Sequence, residues 1–218
     1  MGRGYVELII RVRNWLKPFH TDLMRIIGGI AGGRILKAPK GFDVRPTADL
    51  VRQAVFNSLG QRVGGALVLE LFGGTGALSL ECLSRGAAGA CCVELSRHHA
   101  RVIRENFALA QLADNSLEVR VEDVFTAIPK LATAGRQFDL IFADPPYGEK
   151  NIGRRSTSFA QRVLDDPNLP QLLAPNGLFI LGHTKRDTLA LPSVWHEVKL
   201  LKHGDSVMRF FNKTSKPG

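Results

Sequence analysis

Glu70-Leu71-Phe72-Gly73-Gly74-Thr75-Gly76 decides the fold. It closes an apolar run over residues 66–72 with a glycine-rich turn. Glycine lets the chain turn sharply after a strand and lets its backbone approach a ligand closely. A helix is expected from there to about Ser84, and the alternation then repeats. Residues 90–93 read as a second strand, Ser96 as the cap of a helix to about Ala110, and 117–121 as a third strand before Asp123 and a short helix. Residues 138–143 form the fourth strand, a loop and helix follow to about Leu173, and 177–181 form the fifth. Apolar strands alternating with helices imply an α/β fold, a mostly parallel sheet covered on both faces. Residues 195–201 and 207–211 flank a polar turn and break that rhythm, as a closing C-terminal antiparallel hairpin does. Upstream, residues 25–29 and 34–37 read as a small N-terminal β-hairpin around glycine-rich turns. Thr47 is expected to cap a helix to about Leu59, with Leu50, Val51, Ala54, Val55 and Leu59 facing the core.

In a doubly wound sheet, ligands bind beyond the carboxyl ends of the strands. A dinucleotide loop would need Gly or Ala where this chain has Ser79, and no Gly-Lys-Ser/Thr follows to make a Walker loop. Acids at the strand ends suit a different ligand. Glu94, 18 residues after Gly76, can accept the hydroxyls of a ribose. Asp123, followed by Val124, is placed for an adenine amino group, and Glu70 for the amino group of an amino-acid moiety. Ribose, adenine and a methionine-like tail together make S-adenosylmethionine, with Phe72, Gly73, Gly74 and Gly76 forming the cradle. Each acid alone is weak, since strand-end acids are often merely solvated; the loop and three acids in this order carry the assignment.

Asp144-Pro145-Pro146-Tyr147 follows the fourth strand. An exocyclic base amine is a poor nucleophile because its lone pair is delocalised into the ring. The carboxylate of Asp144 and the carbonyl of Pro145 can accept its two N–H bonds and stabilise the charge that develops on attack. Pro145 and Pro146 stiffen the loop, and Tyr147 offers a face for a flipped base. Alone, the four residues are equally a rigid turn; beside the glycine loop they read as catalytic. Direct displacement at a sulfonium gains from alignment and needs no metal. The six histidines lack ligand spacing; His98 and His99 read as solvated on a helix face, and His183 as a surface or core residue after strand five.

The chain has 218 residues and a net charge of +9. Residues 1–62 hold 11 of the 29 Lys and Arg but 4 of the 20 Asp and Glu. That asymmetry favours a polyanionic partner, nucleic acid first, contacted by the amino-terminal part. No apolar run is long enough to span a membrane. Cys82, Cys91 and Cys92 give neither a disulfide framework nor a zinc motif, which fits a reducing cytoplasm. Residues 1–23 lack the form of a signal peptide. They read as a disordered or weakly amphipathic extension, or as an over-extended gene start before a domain opening at Met24.

These motifs resemble the RsmD family of bacterial methyltransferases, which modify the N2 amino group of a guanine in small-subunit ribosomal RNA. The resemblance spans roughly residues 24–211. It is carried by Arg25-Ile26-Ile27-Gly28-Gly29, Gly33-Arg34, Arg45-Pro46-Thr47, Val51-Arg52, Phe56-Asn57, residues 71–78 and 84–87, Val93-Glu94 and Asp144-Pro145-Pro146-Tyr147. It implies a Rossmann-like class I methyltransferase with a seven-stranded sheet and a small N-terminal hairpin. It also implies action on small-subunit ribosomal RNA, free or within the 30S particle, with Arg25, Arg34, Lys37, Arg45 and Thr47 as RNA contacts. Two positions depart from the family: Glu70 stands where an Asp is usual, and Gly182 where a Glu tends to precede the His.

The expected organisation is an extension at 1–23, a basic hairpin and helix at 24–62, a methyltransferase domain at 63–212 and a tail at 213–218, acting as a cytoplasmic monomer. A DNA adenine-N6 methyltransferase is the nearest rival, since the same motif fits that amine; no separate target-recognition domain is visible. A catalytically idle RNA-binding assembly factor is the rival of another class.

Overall fold

A computed structural model describes residues 24–39, 49–113, 116–146 and 155–214. Five parallel strands, β1 (Leu67–Leu71), β2 (Gly89–Glu94), β3 (Leu117–Val121), β4 (Phe138–Ala143) and β5 (Leu173–Thr184), join an antiparallel pair, β6 (Trp195–His203) and β7 (Ser206–Lys213). The order across the seven-stranded sheet is β3-β2-β1-β4-β5-β7-β6. The direction of winding reverses between β1 and β4, where Leu71 pairs with Ala143. The expected α/β class and the closing hairpin are both present.

Helices cover both faces. On one lie α1 (Asp49–Leu59), α2 (Ala77–Ser84) and α3 (Arg97–Ala110); on the other lie α4 (Val124–Thr133), α5 (Phe159–Leu164) and α6 (Leu169–Leu172). Two apolar cores follow from the strand period of two: Val68, Phe142 and Ile180 face the first set, Leu69, Ile141 and Leu181 the second. α2 is buried on every side; its polar residues Ser79, Glu81 and Ser84 each find hydrogen-bond partners within the fold. Ser96 caps α3 by accepting from His99 N–H.

Some expectations need correcting. β5 runs from Leu173 to Thr184, longer than its apolar centre at both ends: Leu173 pairs with Phe138 of β4, and β7 continues the pairing through Thr184 after β4 has ended. Pro175 lies in the stretch where the β4–β5 register shifts, a place that tolerates a missing donor. A single helix before it becomes two, α5 and α6. On α1, Leu50 is 62% exposed and Arg52 only 1% exposed. Val51, Val55 and Leu59 set the buried face with Phe56, and Leu50 lies about 100° off Val51. Arg52 is drawn inward by polar partners, donating to the Arg25 carbonyl and to Asp49 at 2.6 and 2.7 Å.

The basic hairpin narrows to one bridge, Arg25 with Ile35. α2 holds it instead. Glu81, fully buried, accepts from Ile27 and Gly28 N–H at 2.6 and 2.9 Å and pairs with Arg85. Ser84 Oγ donates to the Gly28 carbonyl and accepts from Ala31 N–H. Met24, Ile26, Ala31 and Leu36 then share one core with Val55, Phe56 and Leu80.

Candidate active site

The glycine loop leaves β1 through Phe72, a non-glycine residue with φ +62°. Left-handed backbone there costs about 1–2 kcal/mol and persists only where packing fixes it. Phe72 packs against Phe125 of α4 and Phe159 of α5, and Arg162 lies 3.9 Å above the Phe125 ring. Gly73 N–H donates to the Val93 carbonyl, and any Cβ at Gly73 would run into Cys92 Sγ. Gly76 has φ +75° and would meet Ile103. The loop is therefore pressed onto β2 and α3, and only glycine fits at those two points.

Glu94 stands at the end of β2 as expected. Its Oε2 accepts from Gly74 N–H at 2.8 Å and its Oε1 from Ser96 N–H at 2.7 Å. His99 Nδ1 lies 3.5 Å from the same carboxylate, and His99 is buried; only His98 is solvated as expected of both. The ring's side of α3 faces β2, which the expectation of a solvated pair overlooked. Leu95, next to Glu94, is 68% exposed, a large apolar side chain held out beside the acid. Asp123 caps α4, accepting from Phe125 and Thr126 N–H through Oδ1, and is exposed; Val124 behind it is buried.

Glu70 lies beneath the loop. Its Oε2 accepts from Ser79 N–H at 2.9 Å and from Ser79 Oγ, with Cys92 Sγ at 3.5 Å. Burial pushes its carboxyl up to about 7 against the pull of those hydrogen bonds. Ser79, which weakens the reading as a dinucleotide loop, is thus the partner that holds Glu70.

Asp144 begins where β4 ends, level with Phe72 on the neighbouring strand. It is half-buried, Pro145 is buried and Pro146 is exposed. Asp144 continues the Ala143–Leu181 pairing, so its side chain shares a sheet face with Gly182. A Cβ at Gly182 would overlap Asp144 Oδ1, 3.0 Å from its Cγ and 3.2 Å from Met208 Sδ. His183 lies within β5 rather than after it; it is buried, its Nδ1 donates to the Thr184 carbonyl, and burial lowers its pKa. Tyr147, Arg45 and Thr47 lie outside the described residues.

The remaining basic residues face neighbours within the fold. Arg25 pairs with Asp49, Arg34 reaches the Leu109 carbonyl and Gln111, and Lys37 pairs with Glu105. Asn106, fully buried on α3, was not foreseen. Its Oδ1 accepts from Lys37 N–H, and its Nδ2 donates to the carbonyls of Lys37 and Thr75. It ties the basic segment to the glycine loop. A polar residue on a helix's buried face was the signal. Among the described residues no cluster of His, Cys, Asp and Glu could hold a metal, and no helix is long and apolar enough to cross a membrane.

Residues 24–212 match the family described as Conserved hypothetical protein 95. Ribosomal RNA small subunit methyltransferase D of Escherichia coli K12 is 39% identical over 133 residues, 60% of this chain and 65% of that protein, so the match spans less than two thirds of its length. The Haemophilus influenzae protein of the same name is 29% identical over 176 residues, 81% of this chain and 86% of its own. A hypothetical protein of Thermus thermophilus superimposes with a TM-score of 0.71 at 27% identity, covering 87% of this chain and 99% of that one.

Proposed function

The chain belongs to the Conserved hypothetical protein 95 family, the RsmD family, and from that premise we propose that it methylates ribosomal RNA with S-adenosylmethionine, at the N2 amino group of a guanine in the small subunit. The observation that carries this is the level pairing of Leu71 with Ala143. It sets the glycine loop and Asp144-Pro145 side by side where the sheet reverses its winding, the place where such folds take ligands.

The cradle fits the cofactor. Gly73 and Gly76 leave no room for side chains, Glu94 presents a carboxylate at the ribose position, and exposed Leu95 and Asp123 suit the two sides of an adenine. S-adenosylmethionine supplies a methyl group on a sulfonium. Asp144 and the Pro145 carbonyl accept the two N–H bonds of the target amine and fix its nitrogen in line. As nitrogen gains the methyl group it gives up one proton, which the half-exposed Asp144 carboxylate passes to solvent. Glu70 acts one layer down, holding Ser79 and the loop, rather than at the cradle surface. Arg25, Arg34 and Lys37 bind RNA phosphates, with small-subunit RNA or the 30S particle as substrate and a cytoplasmic monomer as the working form.

The test is methyl transfer from labelled S-adenosylmethionine to small ribosomal subunits from cells lacking the gene, with nucleosides identified by mass spectrometry. N2-methylguanosine is expected. Methyladenine in DNA would move the substrate, and no transfer to subunits, RNA or DNA would leave an RNA-binding assembly factor. Asp144→Ala should lower turnover at least about 100-fold with cofactor affinity nearly unchanged by calorimetry.

A further inference from the structure

Gly182 sits inside a strand where nothing in the backbone asks for glycine: its φ is not positive, and it pairs in register with Met208. Glycine in a strand interior weakens the strand and marks a place where another group comes close. Here that group is the carboxylate of Asp144.

The geometry follows from strand lengths. β4 stops at Ala143, opposite Leu181, while β5 runs on through Gly182, His183 and Thr184 because β7 still pairs with it. Beyond its last paired residue the chain of β4 therefore lies along an intact sheet edge. Asp144, Gly182 and Met208 come from three adjacent strands and point to one face. With no side chain in the middle of that row, the Asp144 carboxylate occupies the space beside Gly182 that a Cβ would take. Met208 closes the row from the other side. A methyl group at 182 would overlap Oδ1. Met208 is flexible enough to give way; the carboxylate, on a short side chain followed by two prolines, must swing off its position.

We infer that Gly182, standing where the family tends to carry Glu, is a positioning residue of this chain: it sets where the Asp144 carboxylate stands here and so aligns the target amine. This rests on the assignment of Asp144 as the amine-orienting acid. A displacement of about 1 Å in such a group can cost on the order of 100-fold in rate.

Gly182→Ala should keep cofactor affinity by calorimetry and KM for ribosomal particles within about twofold, while kcat falls about 10- to 100-fold. Gly177→Ala is the control. That residue, inside β5 where the β4–β5 register shifts, is also cramped, against Leu173 and the Asp139 carbonyl; it should lower the melting temperature but not kcat. In an Asp144→Ala background the overlap is gone, so Gly182→Ala should destabilise less than it does alone. Wild-type kcat in Gly182→Ala, with Asp144→Ala inactive, overturns the role of Gly182 and leaves that of Asp144. Full turnover in Asp144→Ala overturns the assignment beneath it. If Gly182→Ala does not fold, the double variant decides: a folded protein supports the overlap, an unfolded one overturns it.

Discussion

Burial of the Glu70 carboxyl makes stability depend on pH in a predictable direction. Between the ordinary value of 4.5 and about 7, the folded chain keeps a proton that the unfolded chain has released. Stability therefore falls as pH rises through that window and levels off above it. Glu70→Gln carries no such proton, so wild type should lose roughly 3 kcal/mol relative to that variant between about pH 4 and 8. Urea unfolding at a series of pH values checks this; parallel curves for the two proteins would contradict it. Glu94 and Asp144 were visible in the sequence because their chemistry is local: an acid directly after an apolar strand has one place to be. Glu81, Asn106 and Arg52 were not, because their partners lie 54, 69 and 27 residues away. A polar residue on an otherwise apolar helix face was the trace they left, and it does not say what it meets.

Strands and helices were legible where hydrophobic period and length agreed, as in β1, β4 and α3. The apolar pattern alone marks only the centre of β5, because residues 182–184 are held by β7, more than twenty positions further on, rather than by their own period. The basic hairpin was read as two strands, yet it makes one bridge and leans on α2. That dependence gives a prediction. Glu81→Ala removes the acceptor for two backbone N–H groups and strands Arg85, and should cost about 3 kcal/mol. Amide hydrogen exchange across residues 24–37 should speed up far more than across β1 and β4. Uniform acceleration would mean that the hairpin has no stability of its own to lose.

Asn106 and the Met24–Thr75 contact join the basic segment to the glycine loop, so the proposed RNA-binding segment and the cofactor loop are one continuous piece of structure. Arg34 and Lys37 face only exposed partners, and such surface pairs are weak enough for phosphates to displace. Arg34→Ala and Lys37→Ala should each reduce the slope of log binding constant against log salt by about one for small-subunit RNA, as fluorescence titration would register. An unchanged slope would place the RNA elsewhere. The three thiols bear on handling the protein. Cys82, Cys91 and Cys92 are buried, and burial lifts all three pKa values, Cys91 to about 12. Thiolate is the reactive form, so native sulfur is silent toward maleimides while the fold is closed. A single cysteine engineered at the exposed turn residue Ile30 would then carry a dye alone, and the intact chain becomes a background-free reporter of whether RNA reaches the hairpin.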